Sequence, residues 1–152
     1  MTNHELKSAV KQLMAGELYG VLATQSSSGA PHSSIVAFVS ADDLTSVVFV
    51  TPRNTRKFAN IEARPAVSFF VDNRSDRVDE LMRVIGIEAH GDARELSAEQ
   101  GCTYRALFLA KYPQMSGFVQ APGSALMRIA VSHYDVVDHF QHVLVLPAGD
   151  GA

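Results

Sequence analysis

The chain has 152 residues, 47% hydrophobic and 19% charged, with a formal net charge of -3. That balance suits one globular domain, residues 1–152, with a real core, and offers no global basic field to nucleic acid or an acidic membrane. Its one cysteine, Cys102, excludes an internal disulfide and a thiolate zinc site. No run reaches transmembrane length and the N-terminus lacks a signal-peptide pattern, so the cytoplasm is the default expectation.

Thr2-Asn3-His4-Glu5 reads as a capping box, after which Leu6, Val10, Leu13 and Met14 line one helical face. A strand over 18–24 ends in the turn-rich Ser26-Ser27-Ser28-Gly29-Ala30-Pro31, and a second covers about 32–40. The turn Ala41-Asp42-Asp43 leads to a third strand, 45–50, which gives two successive antiparallel hairpins. A helix follows and stops near Arg64-Pro65, because proline disfavours helical geometry in the residue before it. The fourth strand is 66–71 and the fifth 84–95, with Gly86 and Gly91 as candidate bulge sites. Ser97-Ala98-Glu99-Gln100 reads as another capping box, opening a helix that Lys111-Tyr112-Pro113 terminates. A sixth strand spans about 125–137, and Val143-Leu144-Val145-Leu146 can add a short edge. Six strands in meander order, not interleaved with helices, predict a mainly antiparallel small barrel in an α+β fold and argue against a Rossmann sheet.

The segment Thr51-Pro52-Arg53-Asn54-Thr55-Arg56-Lys57 joins the third strand to a helix on which Phe58 and Ile61 share a face. Asn54 is a suitable N-cap, which puts Thr55, Arg56 and Lys57 in the first turn. That end of a helix favours acidic side chains by about 0.3–1 kcal/mol each, so cations there suggest an anion among them. Free N–H groups, a threonine hydroxyl and two or three cations would form a phosphate cradle. The alternative is a solvated basic helix start. Neither glycine-rich phosphate loop occurs in the sequence.

The runs Gly20-Val21-Leu22-Ala23-Thr24, Ser33-Ser34-Ile35-Val36-Ala37-Phe38 and Phe49-Val50-Thr51 through Lys57 occur in an order that resembles the pyridoxamine 5'-phosphate oxidase-like FMN-binding split-barrel family. Asn60-Ile61-Glu62-Ala63-Arg64-Pro65-Ala66-Val67-Ser68 and Gly91-Asp92-Ala93-Arg94-Glu95 continue the likeness, which covers roughly residues 5–138. The resemblance implies a six-stranded split barrel that binds FMN in a cleft between the subunits of a homodimer. It implies phosphate binding by Arg56 and Lys57, helped by Thr51 and Thr55. By the same resemblance Val50 would belong to the cofactor site, and Ser34, Ile35, Val36 and Ala37 would run beside the isoalloxazine ring. Asp72-Asn73-Arg74-Ser75 closes the fourth strand; it reads as an Asx-rich turn, or as a loop that lets Asn73 or Arg74 reach the flavin edge.

Two departures from the oxidase itself stand out. Val39 occupies the place of a lysine that helps to hold its substrate. The chain also has no tryptophan, and His139-Phe140-Gln141-His142-Val143 does not match the oxidase's C-terminal segment. Vitamin B6 oxidation is therefore not expected. His139 and His142 would share a helical face and could bind metal or haem, but surface histidines account for them and no metal site is expected. Cys102 is expected in the core. The expected function is an FMN-dependent oxidoreductase with no identifiable catalytic acid or base. The rivals are a flavin-binding electron carrier or sensor, and a haem or deazaflavin binder on the same barrel.

Overall fold

The computed structural model describes residues 2–139 and 142–149. Helix α1 (Asn3–Gly16) starts with the expected capping box, in which Thr2 Oγ1 accepts from the Glu5 amide and Glu5 Oε2 accepts from that of Thr2. Leu6, Val10, Leu13 and Met14 are its buried face, as the spacing predicts. Strands β1 (Tyr19–Gln25) and β2 (Pro31–Ala37) form a hairpin. After a break at Phe38, β3 (Val39–Ser40) pairs with β4 (Ser46–Pro52). Helix α2 (Arg56–Ala63) leads to β5 (Ala66–Asp72), a 3-10 turn (Val78–Arg83) and β6 (Ile85–Glu95). Then come α3 (Cys102–Lys111), a 3-10 turn (Pro113–Met115), α4 (Ser116–Gln120), β7 (Ser124–Asp138) and β8 (His142–Pro147). No helix of the described residues is long and apolar enough to cross a membrane.

The sheet runs β2-β1-β5-β6-β7-β4-β3, with β8 paired to β7. Because β2 and β3 are two halves of one interrupted strand, this path closes into the expected antiparallel split barrel with flanking helices. Eight strands replace six because that strand is counted twice and β8 is the short added edge. The strand order is not a single meander. Two three-stranded meanders, one around β2/β3 and the other β5-β6-β7, are joined where β1 meets β5 and β4 meets β7. Helix α2 makes the crossing between them.

The barrel interior holds Phe38, Phe49, Phe69 and Tyr134, all fully buried, with Phe38 and Phe69 edge to face at 5.0 Å. A second, smaller core lies outside the barrel, where Val48, Val50 and Leu126 meet Phe108, Tyr112 and Val119. This explains the unbroken apolar run 46–50: Val47 and Phe49 face the interior, and Val48 and Val50 face α3 and α4. Strand β5 differs, since it alternates and leaves Phe70 37% exposed.

Of the two candidate bulge glycines, Gly91 marks the register shift between β6 and β7, where an added Cβ would lie 2.1 Å from the Ala130 carbonyl oxygen. Gly86 remains in regular register. Ser97 and Gln100 make the reciprocal capping bonds, yet α3 starts only at Cys102, one turn later. Cys102 is exposed rather than in the core, because Phe108 is the buried residue of that short helix. His139 and His142 do not share a helix. His139 sits in a left-handed turn and His142 opens β8, both beside Asp138. Phe140, Gln141 and the last three residues, 150–152, lie outside the described residues.

Candidate cofactor site

The link from β4 to α2 is built by threonines. Thr55, not Asn54, is the N-cap, and its hydroxyl accepts from the Phe58 amide. The same hydroxyl bonds the Pro52 carbonyl at 2.9 Å and lies 2.9 Å from that of Thr51, which is fully buried. Arg56 and Lys57 therefore occupy the first two helical positions, whose amides have no partner within a helix. No acidic residue stands in this first turn. Asn60 donates to the buried Thr24 hydroxyl at 3.0 Å, and Arg64 bonds the Ser26 carbonyl, which fixes α2 against β1.

Arg53 does not join the basic cluster. Its guanidinium makes two bonds to the Glu95 carboxylate, at 2.6 and 3.2 Å, and one to the Pro122 carbonyl at 2.8 Å. Arg56 and Lys57 appear in none of the ion pairs among the described residues. Two cations, not three, are free to meet an anion here.

A hollow of about 220 Å³ lies beside Lys57. It is lined by Ile35, Val36 and Ala37 of β2, Val50 and Pro52 of β4, and Phe108, Met115 and Phe118 of the helical segment. Five of the residues expected at the cofactor thus come together, three from β2 and one each from β4 and α2. The helical segment supplies three lining residues that the sequence did not reveal. Its visible signal was the Tyr112-Pro113 break, which turns the chain so that Met115 and Phe118 face β2. Ser34 stands on the opposite face of β2 from Ile35, and its hydroxyl is buried without a hydrogen-bond partner, as is Nδ1 of His32.

Ile35, 73% exposed, also borders a second hollow of about 240 Å³ with Tyr19, Val21, Phe70, Asp72 and Arg74. Arg74 holds Asp72 through two bonds of 2.7 Å, and these bonds keep the Asp72 carboxyl below its ordinary pKa. Arg74 is thus on the rim of a hollow that shares Ile35 with the first. Asn73 is not, since its side-chain oxygen accepts from the Ile85 amide at 2.7 Å and closes the base of the loop. A larger hollow of about 450 Å³, between Phe70, Leu81, Val84 and Val137, shares only Asp72, Arg74 and Phe70 with the second.

The donor set fits a flavin mononucleotide in kind: two unpaired cations at a helix start for a phosphate, and an apolar strand, Ile35 to Ala37, for a planar ring; the Ser34 hydroxyl, on the other face of that strand, is not part of the lining. Val39, by contrast, packs against the outer core.

The sequence profile of the pyridoxamine 5'-phosphate oxidase family matches residues 6–138. The chain belongs to that family. No curated protein matches the sequence. Among solved structures it is similar to a haem-binding protein from Mycobacterium smegmatis, with 16% identity and a TM-score of 0.82 over 97% of this chain and 58% of that one. It is also similar to General Stress Protein 26 from Bacillus anthracis, at 22% identity and a TM-score of 0.72, covering 94% and 98% of the two chains. The haem storage protein HutZ from Vibrio cholerae gives 19% and 0.73, covering 95% and 96%. At these identities the likeness establishes the split-barrel fold.

Proposed function

We propose that the protein is an FMN-dependent oxidoreductase working as a homodimer, passing electrons through the flavin between a reduced donor and an acceptor. The observation that carries this reading is the convergence of Ile35, Val36, Ala37, Val50 and Lys57 on one hollow at the start of α2. Arg56 and Lys57 hold the phosphate, the apolar stretch of β2 lies along the ring, and Arg74 stands at the far rim. Bound there, FMN would supply the redox chemistry, while the chain binds, orients and shields it. No side chain in the lining is required as a general acid or base.

The hollow holds about 220 Å³, less than the roughly 300 Å³ at which small-molecule pockets begin. The hollow of about 240 Å³ that Ile35 also borders adjoins it, so one protomer presents an open site. The exposed apolar row beside it, Tyr19, Ile35 and Phe70, gives a second copy a surface to complete it. An open ring face also favours turnover of a substrate over a closed electron carrier. Vitamin B6 phosphates are not that substrate, because Val39 supplies no cation.

A haem reading has one observation behind it: two of the similar structures are named as haem proteins. Neither a histidine nor a cysteine lines the hollow, and Met115 is the single thioether there, so FMN is the better fit. The absorption spectrum of the purified protein, with identification of the ligand released by heat, tests the choice. A two-band flavin spectrum supports the proposal, and a Soret band or a deazaflavin would overturn it.

A further inference from the structure

On the outer face of the sheet, β6 and β7 place four side chains together that take no part in the cofactor hollow. Glu88 pairs with Asp135 and His90 with His133 across the two strands, so all four project from the same side. Nε2 of His90 lies 2.8 Å from Asp135 Oδ2 and 3.3 Å from Glu88 Oε1. The two imidazoles stack at 4.4 Å with an interplanar angle of 10°. One ring nitrogen of each histidine and one oxygen of Asp135 fall within 4.8 Å of one another.

The bulge beside them orients the ligand atoms. The register shift between His90 and Gly91 leaves Ser132 as the extra residue of β7. The Ser132 hydroxyl donates its only proton to the His90 carbonyl at 3.0 Å. Toward Nδ1 of His133, 2.9 Å away, it can then only accept. The His133 proton therefore resides on Nδ1, and the lone pair on Nε2 is left for a ligand. Fixing the tautomer of a ligating histidine through its other nitrogen is the usual outer-shell device of metal sites. The second oxygen of Glu88 is held in turn by the Ser68 hydroxyl.

Charge points the same way. Among the described residues, the ion pairs of Glu88 and Asp135 are all with His90. One imidazolium neutralises only one of two carboxylates, and a second would stack a cation on a cation. A divalent ion neutralises both. Ligand atoms around a tetrahedral zinc ion stand about 3.3 Å apart, given bonds of about 2.0–2.2 Å, and the separations of 2.8 and 3.3 Å at His90 already approach that spacing. Imidazole and carboxylate together suit zinc and its first-row neighbours better than magnesium or calcium.

We propose that His90, His133 and Asp135, with Glu88 beside His90, form a binding site for a divalent first-row transition-metal ion, zinc foremost. On binding, the proton that His90 presents from Nε2 leaves and Nδ1 carries one instead, so the ring stays neutral and its lone pair meets the ion. Ser132 is a positioning residue.

Zinc titration of chelator-treated, dialysed protein by calorimetry tests the site, with thermal unfolding as a second readout. The expected result is one saturable ion per chain and a rise in melting temperature with zinc. Asp135→Asn and His133→Ala should each lose at least tenfold in affinity, and Ser132→Ala about tenfold. His142→Ala, which alters the exposed histidine beside Asp138, should change nothing. Asp135→Asn and Ser132→Ala keep side-chain shape or strand pairing, so the outcome stands even if a histidine variant fails to fold. No saturable binding at micromolar zinc, or binding that survives Asp135→Asn and disappears in His142→Ala, would overturn the proposal.

Discussion

The Tyr112 hydroxyl meets the backbone of Phe38 on both sides: it donates to the carbonyl at 2.6 Å and accepts from the amide at 3.2 Å. Phe38 is the residue at which β2 gives way to β3, where neither neighbouring strand can serve its polar groups. Tyr112 supplies them from α3, and the Leu18 carbonyl lies a further 2.8 Å from the same oxygen. Burial raises the phenol pKa, so the proton this seam needs stays in place. The next residue toward the N-terminus is Ala37, on the wall of the cofactor hollow.

Tyr112→Phe leaves the Phe38 groups buried and unpaired, a loss of about 1–3 kcal/mol. Chemical denaturation should show that loss, accompanied by weaker flavin binding as β2 loosens. Wild-type stability in the variant would mean that the seam is held by something else.

Lys111 gives the stability a specific pH dependence. Its ammonium donates to the Glu17 carbonyl at 2.7 Å and stands 4.3 Å over the Phe38 ring. Burial nevertheless outweighs the attraction of Glu17 and lowers its pKa from 10.5 to about 8. Between those two values the unfolded chain binds more protons than the folded one, so stability rises with pH from about 8 upward. Tyr112 and Tyr134 have raised pKa values, mainly from burial. They reverse the trend above pH 10, where the unfolded phenols lose protons that the fold retains. Denaturation midpoints at pH 7 through 10 should climb in the wild type and stay flat in Lys111→Met. Equal slopes in both would refute the assignment.

Pyridoxamine phosphate and pyridoxine phosphate should not be oxidised by the flavin-loaded protein at a useful rate. A second phosphate would need a charge-assisted anchor, and Val39 is packed into the outer core instead. Rapid formation of pyridoxal phosphate would contradict this.

Ile35→Glu should convert a dimer to monomers. Ile35 and Phe70 both register against Val21, in a row continued by Tyr19, which is 64% exposed. A carboxylate in the middle of that row would be desolvated on association. Sedimentation at low micromolar concentration reads the outcome, and a wild-type monomer that keeps its flavin would defeat the dimer account.

Much of this was legible from local pattern. The capping box of α1, the burial of Leu6, Val10, Leu13 and Met14, and the bulge at Gly91 all follow from spacing and residue type. Contacts made across long sequence distances were not. The Arg53–Glu95 pair spans 42 residues, and nothing near Arg53 signals that it will leave the basic cluster. Met115 and Phe118 reach the hollow only because Pro113 breaks the helical segment and redirects it. Thr55 displaced Asn54 as cap because both types serve that role, and the buried hydroxyl of Thr51 favours a threonine partner. The apolar run 46–50 is buried on both faces, by the barrel interior on one side and by α3 and α4 on the other, a cover that lies more than fifty residues further along the chain.

Recognition of a flavin phosphate by Arg56 and Lys57, without Arg53, is what the proposed function requires of this helix start. Hydrogen bonds to charged groups contribute about 1.5–3 kcal/mol, roughly ten- to a hundred-fold in affinity. Parallel titrations of FMN and riboflavin into wild type, Arg56→Ala and Arg53→Ala test it most directly. Arg56→Ala should weaken FMN by that factor and leave riboflavin unchanged, while Arg53→Ala should affect neither. Equal losses for both ligands in Arg56→Ala, or a selective loss of FMN in Arg53→Ala, would contradict it.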